Sequence, residues 1–144
     1  MKSDDLEVLH ELLSDPEVME YLEPPFTKER TIQFLESAGL SDPPLIYAAE
    51  DENCSFMGYV IYHDYDADSK EIGWVLKKEA WGKGYAKELT KQLIERAVSE
   101  EKSLIIECVP EQKATKHIAE SFGFTYSGRS DSCDLYRLDW RKTS

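Results

Sequence analysis

The segment Trp81-Gly82-Lys83-Gly84-Tyr85-Ala86 combines residues suited to cradling an anion. It falls between a run that reads as a strand and the strongest helical pattern in the chain, where unpaired backbone N–H groups and the positive end of a helix dipole converge. Gly82 and Gly84 carry no Cβ to hold a diphosphate off the main chain, and the small Ala86 lets the first helical turn come equally close. Lys83 and Lys87 add charge, within a run of Lys77, Lys78, Lys83, Lys87 and Lys91 broken only by Glu79 and Glu88. Two glycines alone would equally serve an ordinary tight turn, and the lysines an ordinary solvated face. The spacing fits neither a dinucleotide-binding turn, which needs a small residue where Lys87 stands, nor a P-loop.

Other chemistry-bearing residues form no pattern. His10, His63 and His117 share no spacing that suggests a metal or a nucleophile pair, and read as structural or surface residues. Cys54, Cys108 and Cys133 are far apart and lack C-x-x-C spacing, which argues against a disulfide framework or a zinc site and for reduced packing residues.

The elements that must position the turn follow from periodicity. Asp4, with Glu7 three residues on, predicts a capped helix carrying Leu6, Leu9 and Leu13, ending near Asp15-Pro16. Asp15 and Pro16 open a short turn with Val18, Met19 and Leu22; Thr27 caps a further helix through Ile32, Leu35 and Ala38 that stops at Gly39. Leu45 to Ala49, Met57 to His63 and Glu71 to Leu76 read as an antiparallel meander. After the glycine turn, Ala86, Leu89, Leu93 and Ala97 form a helical stripe, and Leu104 to Val109 reads as a central strand buried on both faces, parallel to the strand before the helix. A helix from about Gln112 to Phe122, stopped by Gly123, and strands near Phe124 to Ser127 and Leu135 to Leu138 complete one domain over residues 1–144.

The turn resembles the acetyl-CoA signature of the GNAT N-acetyltransferases, Gln/Arg-x-x-Gly-x-Gly/Ala, with Trp81 in place of the Gln or Arg. The form Trp-Gly-Lys-Gly-Tyr-Ala is similar to the branch that acetylates ribosomal-protein N-termini. The segments Ser14-Asp15-Pro16-Glu17-Val18-Met19, Glu71-Ile72-Gly73-Trp74 and Ala119-Glu120-Ser121-Phe122-Gly123-Phe124 resemble the same branch. The resemblance implies an α/β (α+β) fold, with a mixed, mostly antiparallel sheet of about six strands flanked by helices. It also implies that acetyl-CoA is the cosubstrate, that backbone groups of Val75 and Leu76 pair with its pantetheine arm, and that amides from Gly82 through Lys83, Gly84 and Tyr85 to Ala86 hold its pyrophosphate. Gln112 stands where the family carries an Asn near the pantetheine, and Thr115 where a Ser is usual. Glu71 matches the position of a glutamate general base, and a backbone N–H near Leu76 would face the thioester oxyanion. Where many relatives place a tyrosine acid, this chain has Ala119. The family's first strand is short or missing here, which leaves Leu45 to Ala49 as an edge open to a second subunit or a covering loop.

Composition bounds the partners. Hydrophobic residues make up 41% and charged residues 32%, no apolar run is long enough to cross a membrane, and the start Met-Lys-Ser-Asp-Asp lacks a signal-peptide stretch, so a cytoplasmic globular protein is expected. The net charge of −12 repels nucleic acid and favours a cationic partner. The expected acceptor is an amine, on a protein N-terminus or on a small cation such as a polyamine or aminoglycoside. The alternative is a non-catalytic module of the same fold that binds coenzyme A or mediates association. No metal is expected.

Overall fold

The computed structural model describes residues 1–143. Four α-helices, α1 (Leu6–Leu13), α2 (Lys28–Phe34), α3 (Tyr85–Ser99) and α4 (Lys113–Ser121), accompany six strands, β1 (Ile46–Glu50), β2 (Phe56–Asp64), β3 (Ser69–Leu76), β4 (Ser103–Cys108), β5 (Thr125–Ser130) and β6 (Cys133–Leu138). The strands form one mixed, mostly antiparallel sheet in the order β1-β2-β3-β4-β6-β5. Among the described residues no strand precedes α1; Ser3–Asp5 form a 3-10 turn. No helix among them is long and apolar enough to cross a membrane.

The chain divides into two compact units, and β2 and β3 each run through both. The first holds Met1–Ile61 and Trp74–Tyr85. Its core forms because the helical spacing of Leu9, Leu12 and Leu13 turns one face of α1 inward, where they cluster with Phe26, Leu35 and Val75. The expected Asp4–Glu7 capping box does not form. Asp5 instead accepts a hydrogen bond from the Lys2 backbone N–H at 2.8 Å, and α1 begins at Leu6. Thr27 caps α2 as expected, accepting from the Arg30 N–H at 3.2 Å. A π-helical turn over Leu35–Gly39 extends α2. β1 pairs antiparallel with β2 from Ile46–Ile61 to Ala49–Gly58, with a bulge before Glu50.

The second unit holds Tyr62–Gly73 and the described residues from Ala86 onward. The parallel register of β3 with β4 runs Ser69–Ser103, Lys70–Leu104 and Glu71–Ile105. β4 then pairs antiparallel with β6, from Leu104–Leu138 to Cys108–Asp134. Every β4 residue is buried except Glu107, so the continuous apolar run has one charged interruption. On α3 the buried residues are Thr90, Leu93 and Ala97. Thr90 joins the stripe because its hydroxyl donates to the Ala86 carbonyl at 2.7 Å, which satisfies the one polar group that burial would otherwise penalise.

Candidate functional site

Gly82 and Gly84 adopt φ values of +74° and +83°, and a Cβ built on either would meet nothing within 4 Å. Left-handed backbone with open space in front of it is what a glycine pair contributes when a bulky group must reach the main chain. Gly84 is followed directly by α3, a helix of 15 residues whose first-turn N–H groups lack intrahelical acceptors. The same turn is anchored at two points within the first unit. The Trp81 indole N–H donates to the Leu76 carbonyl at 2.9 Å, and the Tyr85 hydroxyl donates to the Glu52 carboxylate at 3.0 Å. Lys83 and Lys87 are exposed, whereas Lys78 is committed to Glu17 at 2.7 Å. Lys78 is therefore paired with the segment before α2.

Val75 and Leu76, the last residues of β3, are buried. Their backbone is set by a residue that sequence reading passed over. Gly58 in β2 has φ +151°, and a Cβ on it would lie 1.9 Å from the Val75 carbonyl oxygen. Glycine interior to a strand signals a close backbone approach, and that signal was present in Phe56-Met57-Gly58-Tyr59. The Lys77 N–H continues the contact, donating to the Met57 carbonyl at 2.7 Å.

In the second unit Glu71 is the last of the three registered β3–β4 pairs, with its side chain 20% exposed. Burial is the main cause that raises its carboxyl above the ordinary carboxylate range; the charge of Glu107 and a hydrogen bond with it act in the same direction, and His63 opposes them. The His63 Nε2 lies 3.9 Å from Glu71 Oε2. His63, expected to be a structural or surface residue, thus faces the candidate base. Glu107 was missed although a lone acid inside Leu104-Ile105-Ile106-Glu107-Cys108 is conspicuous.

Gln112 belongs to the same unit, and its side-chain carbonyl accepts from the Val109 N–H at 2.9 Å, closing the loop into α4. Ala119 is fully buried. Cys108 is buried, and burial pushes its thiol up, the state of an inert packing residue. Cys54 is exposed, so the packing role expected of all three cysteines does not extend to it. His10 is half-buried on α1 and His117 exposed on α4. A further ionic centre had no sequence signal. Buried Asp134 accepts from Lys116 at 2.8 Å and Arg129 at 3.1 Å, tying α4 and β5 to β6. No group of three or more His, Cys, Asp or Glu among the described residues is placed to hold a metal ion.

Comparison with known proteins gives these features a frame. The acetyltransferase (GNAT) domain family matches residues 1–125. Over 141 residues the chain is 28% identical to the uncharacterized N-acetyltransferase YnaD of Bacillus subtilis (strain 168), covering 94% of this chain and 82% of that protein. It superposes on an acetyltransferase (GNAT family) from Bacillus anthracis with a TM-score of 0.86 at 24% identity, covering 98% of this chain and 92% of the other. It superposes on the spermidine N-acetyltransferase of Vibrio cholerae, solved in complex with CoA and spermine, with a TM-score of 0.77 at 20% identity, covering 95% and 89%. The likeness to the solved structures carries the fold, including the six-stranded mixed sheet.

Proposed function

Since the chain belongs to the GNAT family of acetyl-CoA-dependent N-acetyltransferases, we propose that it acetylates a primary amine borne by a protein N-terminus or by a small cation. In this reading residues 1–144 act as one catalytic domain. Support comes from β2 and β3, which each continue through both units. The observation that carries the reading is the open pair Gly82 and Gly84 leading into α3.

The residues present suit the cosubstrate. Amides of Gly82, Lys83, Gly84, Tyr85 and Ala86 would hold the pyrophosphate, because a Cβ at 82 or 84 would occupy the space that is open there. Backbone groups of Val75 and Leu76 would line up the pantetheine arm, leaving the Leu76 carbonyl to Trp81. Gln112 would contribute from the β4–α4 loop. Acetyl-CoA supplies an activated thioester, so that the new N–C bond forms as the C–S bond breaks and coenzyme A is released as its thiol.

The chain's own task is to present an uncharged nitrogen. An α-amine near pKa 8 needs far less help than a lysine near about 10.4. Glu71 in its carboxylate form would take the amine proton, and a base whose pKa is raised toward the working pH performs that transfer better than an ordinary glutamate. A net charge of −12 would attract a cationic acceptor. The Vibrio cholerae relative, solved with spermine, is a precedent for a polyamine on this fold, while the Trp-Gly-Lys-Gly-Tyr-Ala turn favours the branch acting on protein N-termini. β1 lies at one edge of the sheet, and in our reading it pairs with a second copy. The expected place of action is the cytoplasm.

Thiol release from acetyl-CoA over a panel of spermidine, an aminoglycoside and alanine- or serine-initiated peptides tests the reading. Turnover of any of these amines supports it. Coenzyme A uptake by calorimetry with no turnover on any of them would overturn it.

A further inference from the structure

We propose that His63 is a positioning residue acting through Glu71, its Nε2 facing the Glu71 carboxyl so that a proton taken there passes to the imidazole and on to solvent. The inference rests on the reading of Glu71 as the base.

The geometry fixes which ring nitrogen does what. The His63 Nδ1 lies 3.0 Å from the backbone carbonyl oxygen of Asp64. A carbonyl oxygen can only accept, so Nδ1 carries the hydrogen, and the neutral ring keeps its lone pair on Nε2. That nitrogen lies 3.9 Å from Glu71 Oε2. Catalytic hydrogen bonds are often long in a resting enzyme and close in the substrate complex, so the gap does not bar a transfer. The His63 side chain is 29% exposed and that of Glu71 20%, which makes the imidazole the more open of the two to water.

The charged groups around this pair are disposed differently. Side chains alternate along a strand, so Tyr62 and Asp64 on β2 and Lys70 on β3 project from the face opposite His63 and Glu71. On that opposite face Lys70 pairs with Asp64 at 2.8 Å, and Arg96 of α3 lies 4.6 Å from the centroid of the Tyr62 ring, whose hydroxyl donates to Glu100. The charge of Glu107 on β4 acts on Glu71, and the thiol of Cys133 on β6 senses the Glu71 charge. Of these neighbours only His63 offers a neutral basic nitrogen.

The proton balance closes in three steps. The amine proton passes to the Glu71 carboxylate as the N–C bond forms, which leaves a neutral carboxylic acid. Its O–H then gives the proton to His63 Nε2, restoring the carboxylate beside an imidazolium. The imidazolium releases the proton to water, and both groups stand ready for the next turnover. Imidazole is by type a stronger base than a carboxylate, and the positive ring formed in the second step attracts the carboxylate it has just relieved.

The test measures kcat with saturating acetyl-CoA and the fastest amine of the panel in the wild type, H63A, H63Q and E71Q, together with 15N NMR of the wild-type ring. In H63A and H63Q kcat should fall about tenfold, less than the loss of about 10²–10⁴ expected when a base itself is removed. The KM for acetyl-CoA should stay as it was. Free imidazole added to H63A should restore kcat in proportion to its concentration, which a merely structural role would not allow. The neutral ring should carry its hydrogen on Nδ1. Wild-type kcat in H63Q, a loss in H63A that imidazole leaves in place, or a neutral ring protonated at Nε2 overturns the inference, even with E71Q inactive. Wild-type turnover by E71Q overturns the base reading instead, and the inference with it.

Discussion

Gly58 lies so close to Val75 that a Cβ on the glycine would stand 1.9 Å from the Val75 carbonyl oxygen and 2.9 Å from the Leu76 Cα. Two strands are thereby held together at the residues proposed to face the pantetheine arm. The contact is with backbone, which cannot rotate out of the way as a side chain can. Gly58→Ala should cost about 3 kcal/mol, combining overpacking with an unfavourable φ. It should also weaken coenzyme A binding by displacing Val75. Thermal unfolding and calorimetry on the same variant check both effects.

Gly84 behaves differently, because nothing stands in front of it. A Cβ there meets nothing within 4 Å, so the main cost to the fold is the positive φ of +83°, roughly 1–2 kcal/mol. The side chain would fill the space assigned to the pyrophosphate. Gly84→Val should therefore leave a folded protein with a modestly lower Tm and lose coenzyme A affinity by about tenfold or more, a loss of about 1.4 kcal/mol or more. Undiminished affinity in a titration would remove the pyrophosphate assignment.

These two glycines show how far the sequence could be read. Gly84 was legible because the Trp81–Ala86 turn sits between a strand pattern and a helix stripe, all local in the chain. Gly58 signalled a close backbone approach by its place inside a strand, but its partner was not legible, since Val75 lies seventeen positions away and is brought against it by pairing. The strands and α3 were found nearly in place because their periodicities are strong, with errors of up to three residues at the ends. The expected N-terminal cap failed because Asp5, not Asp4, directly precedes α1, and its side chain turns back to the Lys2 N–H of the 3-10 turn instead of capping the helix. Glu107 and His63 gained their meaning from the register of β3 and β4 and from the fold of β2, which no local pattern encodes.

Asp134 is a centre of stability that the proposed chemistry does not use. Hydrogen bonding with Lys116 is the main cause that holds its carboxyl below the ordinary value of 3.8, and Arg129 adds to it. For a depressed carboxyl the stabilisation is fully present above the unfolded value and drains as pH falls through the folded one. Asp134→Asn should lower stability by about 2 kcal/mol, the worth of hydrogen bonds to a charged group. That deficit should hold constant above about pH 5 and narrow below 3.8. Urea unfolding at pH 7 and pH 3 checks it, and equal deficits at both would place the effect in packing.

Glu71 should show the opposite pH dependence. Its folded pKa is raised above 4.5, chiefly by burial, so the native state holds the proton more tightly than the unfolded chain does. That stabilisation is complete below 4.5 and is lost as pH rises through the folded value, leaving a buried carboxylate beside Glu107 as a liability at neutral pH. Glu71→Gln keeps the shape and removes the charge. At pH 7 the variant should therefore have a higher Tm than the wild type, with the gain vanishing near pH 4, while kcat falls by about 10²–10⁴, the usual contribution of a general base. A group whose removal raises stability and lowers turnover is held in place for chemistry rather than for folding, so a variant that lost both would return Glu71 to a structural role.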